Sequence, residues 1–245
     1  MTTAERLLKV SEGIDKVEAL NAELAASLYG GDTGFKGFYD AFWDAFQNYG
    51  NRTTYNVAFF QWGDDAFYPK YNIAPKGNVN SMFAQSKITN IKQRLIDCGV
   101  TLDFSQATNV TELFSLSQTT HLPVLDVRGG TNLWNLFYNS KIVDVEKLIL
   151  KSDGSQLVSD AFKLCYDLVN IVIEGTIGQD GLNLQWATKL SKASIYSIVN
   201  HLSTSTSGLS VTLSKTAVES AFGSTTSVEW TSLISTRSNW TISLV

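Results

Sequence analysis

Few residues of this chain could carry catalytic or metal chemistry, and they are scattered along the sequence. The two histidines are His121 and His201, and the two cysteines are Cys98 and Cys165. None has a metal-ligand spacing, a Gly-x-Ser-x-Gly turn or a cysteine–histidine order that indicates an activated nucleophile. We therefore predict a protein that is not an enzyme, with no catalytic residue, metal site or cofactor. A sugar-cleaving carboxylate pair, which assembles in space, stays open as an alternative.

A pair of aromatic residues is the first candidate for ligand binding. Trp134 and Tyr138 stand four residues apart in a segment that we interpret as helical, at positions that we expect to face solvent. An exposed tryptophan and tyrosine are suited to stacking on a sugar or anchoring a protein partner. The alternative is packing against a neighbouring loop or a subunit.

Charged residues on predicted strands form the second candidate site. In the segments around Asp126, Ile149 and Val172 the middle residue is expected to face outward and its apolar neighbours inward. The candidate ligand-binding residues on this face are Asp126, Arg128, Lys151 and Glu174. The predicted outward columns are Asp103, Asp126, Ile149, Val172 and Asn183, and beside them Arg128, Lys151, Glu174 and Gln185. Any solvated sheet could show the same mixed charge.

Composition and charge exclude several classes of partner. The net charge of -4 and the absence of a lysine or arginine run argue against nucleic acid. No stretch approaches the roughly 18 apolar residues of a membrane span, so no membrane insertion is expected. The first ten residues lack the apolar region of a secretory signal. We expect synthesis in the bacterial cytoplasm without a signal peptide.

The elements that would position the candidate residues recur along the chain. A helix-like piece, a tight turn and a strand occur three times between residues 100 and 175, and the strand centres Asp126, Ile149 and Val172 are 23 residues apart. A period in the twenties with one strand per period is typical of a leucine-rich repeat. We predict an α/β repeat fold: a leucine-rich-repeat solenoid of about eight strands with short helices or turns on the convex side.

The N-terminal segment predicts self-association. Apolar residues alternate at steps of three and four between residues 3 and 28, which indicates a coiled-coil helix. The predicted oligomerisation residues are Leu7, Val10, Ile14, Val17, Asn21, Leu24 and Leu28. We favour a homotrimer over a dimer, and an amphipathic helix packed on its own domain is the alternative.

Three regions follow from these patterns. They are an oligomerising coiled-coil helix at residues 1–29, a linker with an aromatic N-terminal cap helix at 30–54, and the solenoid with its C-terminal cap at 55–245. The cap helix is predicted from aromatic residues at helical spacing between Phe35 and Phe46.

One unit resembles a known repeat. The stretch Ala161-Phe162, Cys165, Leu168 and Ile171 resembles the bacterial BspA-like leucine-rich repeats, whose core reads Ala-Phe-x-x-Cys-x-x-Leu-x-x-Ile. The match is partial at Leu136-Phe137 and Leu113-Phe114, where the cysteine is replaced. The resemblance covers roughly residues 70–215 and implies a repeat scaffold used for recognition.

The chain also looks like the leucine-rich-repeat proteins of phages and prophages. The resemblance rests on Lys189–Ile195, Leu213–Val218 and Ser238–Val245, and on a helical segment leading into Tyr39–Trp43. It implies a virion or tail-associated role, with other virion or tail proteins bound through the N-terminal region.

We therefore expect a non-catalytic recognition or adhesion protein, a phage tail or virion surface component that binds a host cell-surface glycan or protein. One alternative is a structural virion subunit whose repeats contact neighbouring subunits. Another is a secreted bacterial leucine-rich-repeat adhesin.

Overall fold

The computed structural model describes residues 72–74 and 77–245. The predicted coiled-coil helix, with Leu7 through Leu28, and the predicted aromatic cap at 30–54 lie outside the described residues. Those described contain eight strands and four helices. In chain order they are β1 Gly77–Asn78, α1 Ile91–Cys98, β2 Ala107–Asn109, β3 His121–Asp126, β4 Asp144–Ile149, β5 Asn170–Glu174, β6 Leu182–Leu184, α2 Lys192–Asn200, β7 Leu209–Leu213, α3 Lys215–Phe222, α4 Val228–Ser235 and β8 Trp240–Leu244.

The strands form three separate parallel sheets. β1 pairs with β2, β3 pairs with β4 and β4 with β5, and β6 pairs with β7 and β7 with β8. Isolated parallel bridges, such as Ile73–Leu102 and Ile177–Leu202, lie outside these strands. The predicted leucine-rich-repeat solenoid is therefore wrong, since the described strands make small sheets of two, three and three strands.

Helix α2 is the physical reason that the middle sheet stops at β5. The Ser194 hydroxyl accepts a hydrogen bond from the Ile171 N–H at 2.9 Å, and the Ser197 hydroxyl accepts one from the Ile173 N–H at 2.7 Å. These hydroxyls take the place of the carbonyl groups that a further strand would offer. The middle sheet thus has a helix where a continuous array would have its next strand.

The segments predicted as helix-like pieces are successive turns. Phe83, Phe114, Phe137 and Phe162 lie at their centres, and neighbouring rings stack with centroids 5.1, 5.6 and 5.2 Å apart. Each segment holds two non-glycine residues with positive φ, which an α-helix does not tolerate. These residues are Ser81, Gln85, Glu112, Leu116, Asn135, Asn139, Asp160 and Leu164.

Backbone hydrogen bonds join each turn segment to the next. The Phe83 N–H donates to the Leu113 carbonyl, and the Phe114 N–H donates to the Leu136 carbonyl, both at 2.8 Å. The turns therefore satisfy their polar backbone groups with neighbouring turns.

The predicted alternation of buried and outward residues is confirmed in the strands. Leu125 and Val127 are buried on either side of Asp126, and Ile171 and Ile173 are buried on either side of Val172. The buried apolar side chains of all three sheets belong to one hydrophobic cluster. Its burial is the main source of stability for the fold.

Each of the three helices near the C-terminus begins at a serine. Ser191 caps α2, Ser214 caps α3 and Ser227 caps α4, each accepting a hydrogen bond from the N–H three residues on. The segment Ile91–Cys98 forms the eight-residue helix α1. None of the described helices is long and apolar enough to cross a membrane.

Candidate functional site

A groove on the outward face of the middle sheet is the candidate site. It is a cavity of about 420 Å³ between α1 and the strands β3 and β4. Leu95, Ile96 and Val100 form its helix side, and Pro123, Val124 and Ile149 form its floor. The Ile96 side chain is 61% exposed and that of Val124 is 37% exposed. A concave apolar surface that remains open to solvent is typical of a binding site.

Local sequence fixes the position of α1 beside the groove. The Asn90 side chain accepts a hydrogen bond from the Gln93 N–H at 3.0 Å, which begins the helix. Gly99, with φ of 66°, ends it in the left-handed conformation that glycine tolerates. Ile91 and Leu95 are buried in the core, so Ile96, which follows Leu95, faces outward at the groove.

Charged side chains surround the apolar floor. Lys92 of α1 forms an ion pair with Glu146 of β4 at 3.1 Å, which ties the helix to the sheet. Asp103 also lines the groove, and its carboxylate accepts a hydrogen bond from the Ser105 N–H at 2.7 Å. No cation among the described residues forms an ion pair with Asp103. The groove therefore carries negative charge at this point.

The predicted site residues Asp126 and Arg128 form a close ion pair. The Arg128 Nε donates a hydrogen bond to Oδ1 of Asp126, and its Nη2 donates one to Oδ2 at 2.6 Å. The hydrogen bond and charge of Asp126 raise the pKa of the Arg128 guanidinium above its ordinary value. Asp126 lines the groove, while Arg128 is not among its lining residues.

The other two predicted charged residues lie apart from the groove. Glu174 forms an ion pair with Lys147 at 2.9 Å across the middle sheet. The Lys151 backbone N–H donates to the buried side chain of Gln156 at 2.6 Å. The structure therefore brings Asp126, but not Lys151 or Glu174, to the groove.

The predicted outward columns need one correction. Asp126 pairs with Ile149 as the spacing of 23 residues requires, but Ile149 pairs with Glu174 and not with Val172. The register shifts between Val145 and Leu148. The column that contains Asp126 and Ile149 therefore continues to Glu174 and not to Val172. Glu174 was predicted to lie in the second column and does not.

The aromatic pair does not have its predicted geometry. Trp134 is 44% exposed, but Tyr138 is half-buried. Ala84 and Ser115, which follow the central phenylalanine of their turn segments as Tyr138 does, are buried. Asn135 has positive φ, so the pair does not lie on one helical face. Among the aromatic contacts of the described residues, none joins Trp134 to Tyr138.

The residues with potential chemistry have structural partners. Cys165 is fully buried; its thiol donates to the Phe137 carbonyl at 3.0 Å, and burial raises its pKa to about 12. His201 Nδ1 lies 2.7 Å from the Ser197 carbonyl, and His121 Nδ1 lies 2.8 Å from the Thr120 hydroxyl. In the described part of the chain, no group of three or more histidine, cysteine or acidic residues could hold a metal ion.

Sequence reasoning missed Ile96, Val124 and Lys92. Ile96 follows the buried Leu95 and reads as part of an ordinary amphipathic helix, and Val124 reads as a strand residue. One signal was available in the sequence. Pro123 and Val124 are consecutive apolar residues before Leu125, and because side chains of a strand alternate between its two faces, one of the two must lie on the exposed face.

Comparison with known proteins identifies no relative. No protein-family model, curated protein or solved structure matches the chain.

Proposed function

We propose that this chain is a non-catalytic recognition protein that binds a segment of a host cell-surface protein in the groove between α1 and the middle sheet. The observation that carries the proposal is the concave apolar surface formed by Ile96, Val100, Val124 and Ile149. Burial of one apolar side chain there would contribute about 1.5–3 kcal/mol to binding. This makes the groove a suitable anchor point.

The charges of the groove favour a basic ligand. Three carboxylates and one lysine line it: Asp103, Asp126, Glu146 and Lys92. Lys92 is engaged by Glu146 and Asp126 by Arg128, and the charge of Arg128 also acts on Asp103. With three carboxylates and one lysine in its lining, the groove keeps an excess of negative charge for a ligand. The ligand of the proposal is therefore a polypeptide segment with an apolar side chain flanked by lysine or arginine.

Display on a phage or prophage particle is part of the same proposal and rests on the sequence. Several copies gathered by residues 1–29 would bind one cell together, and avidity would raise a weak affinity by about 10²–10⁴. Sedimentation of the full chain and of a chain lacking residues 1–29 tests this part. Equal, monomeric mass for both would remove avidity from the proposal.

The binding experiment uses a displayed library of short random peptides selected on the full chain. Selected peptides should share an apolar residue next to a basic one. Their affinity should fall about tenfold in Val124→Lys, because the lysine replaces an apolar contact and repels the basic ligand. Asp103→Asn should weaken binding by a smaller factor, and the asparagine oxygen can still accept from Ser105.

Val172→Lys is the matched control, because Val172 is 49% exposed on the same sheet but does not line the groove. Its affinity should equal that of the unchanged chain. Equal losses in both lysine variants, or selected peptides that bind all variants alike, would reject the groove as the recognition site. Selection of peptides that match a neighbouring virion protein would instead favour the structural virion subunit.

A further inference from the structure

A second cavity is lined by residues between Ser152 and Arg237, all of which follow the lining residues of the groove in the sequence. It has a volume of about 420 Å³ and lies where the chain leaves β5, where α2 ends and where the loop 203–205 passes. Its volume falls within the roughly 300–1,000 Å³ of small-ligand sites. Almost all of its lining side chains are polar, in contrast to the apolar floor of the groove.

The pocket offers both hydrogen-bond acceptors and donors. Asp153 contributes a carboxylate, and the Ser155 N–H that donates to it at 2.9 Å lowers its pKa below the ordinary value, so it is ionised at neutral pH. His201 Nδ1 contacts a carbonyl oxygen, which can only accept, so this nitrogen carries the proton. In the neutral ring Nε2 is then an acceptor.

Arg237 supplies the positive charge of the pocket. Its guanidinium donates to the backbone carbonyls of Thr236 and Asn200. No carboxylate among the described residues forms an ion pair with it, so its charge is not neutralised by a side chain. Hydroxyl groups of Ser152, Thr204 and Ser205 complete a wall that can donate and accept.

Hydrogen bonds hold the loop that forms one side of the pocket. The Ser203 carbonyl accepts from the Trp240 Nε1–H and from the Asn239 amide, each at 2.8 Å. The same amide donates to the Thr206 carbonyl, and the hydroxyls of Ser203 and Ser205 lie 3.0 Å apart. A wall fixed before binding loses little conformational entropy when a ligand enters.

We infer that this pocket binds a saccharide. Each sugar hydroxyl donates and accepts, which fits a site that mixes a carboxylate, an imidazole acceptor, a guanidinium and hydroxyls. Asp153 would repel an anion such as phosphate or sulfate, and sulfate has no hydrogen to donate to the carboxylate. The inference goes beyond the protein ligand proposed for the groove, since the two cavities share no lining residue.

The test begins with the full chain, fluorescently labelled, on an array of neutral and acidic saccharides. Titration calorimetry with the free form of the best-bound sugar then measures affinity for the unchanged chain and for Asp153→Asn. The variant should lose about tenfold or more, because it loses a hydrogen bond to a charged acceptor. Asp153 is exposed, so the variant should fold normally, which its melting temperature checks.

Asp103→Asn is the matched control, since Asp103 accepts from the N–H two residues on as Asp153 does, but lines the groove. It should bind the sugar unchanged and the selected peptides more weakly, and Asp153→Asn should show the reverse. The inference is overturned if no saccharide binds, if Asp153→Asn binds it as tightly as the unchanged chain, or if inorganic phosphate displaces the sugar. Peptide binding in Asp153→Asn distinguishes any of these outcomes from failure of the groove.

Discussion

Two serines of α2, Ser194 and Ser197, bind the edge of β5. Replacing them with alanine should destabilise the protein more than the same replacement of an exposed serine. Ser194 is 2% exposed, and its hydroxyl accepts from the Ile171 N–H at 2.9 Å and donates to the Val169 carbonyl at 3.1 Å. In Ser194→Ala the buried Ile171 N–H has no acceptor, which costs about 1–3 kcal/mol. The Val169 carbonyl keeps the bond from the Ser191 N–H at 2.8 Å.

The helix itself recovers part of this loss, since alanine is a better helix former than serine by up to about 0.5 kcal/mol. The net loss for Ser194→Ala is then about 1–2 kcal/mol in the free energy of unfolding. Adding Ser197→Ala removes the acceptor of the Ile173 N–H at 2.7 Å and should cost about 1 kcal/mol more.

Equilibrium unfolding in urea measures these differences. Ser220→Ala, at an exposed position of α3, is the control and should change stability by less than about 0.5 kcal/mol. If Ser194→Ala unfolds at the same urea concentration as Ser220→Ala, the hydroxyls do not hold the edge of β5, and the reason given for the end of the middle sheet is refuted.

Three further outcomes follow from local contacts. Gly175→Ala should lower the free energy of unfolding by more than about 3 kcal/mol, since φ is 96° and a Cβ would lie 2.3 Å from a backbone oxygen. Gly208→Ala, where φ is 77° and the space around the glycine is open, should cost about 1 kcal/mol. Similar melting temperatures for the two variants would contradict this. Ser117→Ala should stabilise by about 1 kcal/mol in urea, because the buried hydroxyl has no hydrogen-bond partner, and a loss of stability would count against it. At pH 8, Ellman's reagent should modify the partly exposed Cys98 slowly in the folded protein, because partial burial and Asp97 raise its pKa, and Cys165 only after unfolding, because it is fully buried with a pKa raised to about 12. Modification of both in the folded protein would show that Cys165 is accessible.

Features that depend on neighbouring residues could be predicted from the sequence. Ser191 and Ser214 precede helical patterns, and each caps its helix through a bond to the N–H three residues on. The buried residues around Asp126 and Val172 follow from the two-residue period of a strand. Each of these predictions rests on a pattern shorter than one element.

The turn segments could not be distinguished from helices in this way. Val110, Leu113 and Phe114 have the spacing of an apolar helical face, and consecutive turns can bury the same positions. The positive φ of Glu112 and Leu116 decides between the two structures, and neither residue type indicates it. Hydrogen bonds to the next segment, such as Leu116 N–H to the Tyr138 carbonyl at 2.8 Å, stabilise the turn.

The arrangement of sheets depends on contacts distant in sequence. Ser194 and Ser197 lie more than twenty residues from the N–H groups that they accept from, and serine on a helix ordinarily indicates a solvent face. The register shift that brings Glu174 beside Ile149 is likewise invisible in a count of 23 residues. For this reason the repeat pattern predicted a continuous array that the described residues do not form.

The candidate site was predicted in part. The alternation in β3 identified Asp126 as an outward residue, and it lines the groove. Ile96 was missed because the groove exists only when α1 packs beside β3, a contact that no sequence period encodes.

Protection of position 96 tests the central claim, binding in the groove, most directly. Ile96→Cys in a Cys98→Ser background places a thiol at the open lip of the groove, and its rate of reaction with a maleimide is measured with and without a selected peptide at saturation. Tyr166→Cys in the same background is the control, since Tyr166 is 49% exposed and does not line the groove. If the peptide binds in the groove, it slows labelling at position 96 and leaves labelling at position 166 unchanged. Equal labelling at position 96 with and without bound peptide would contradict it.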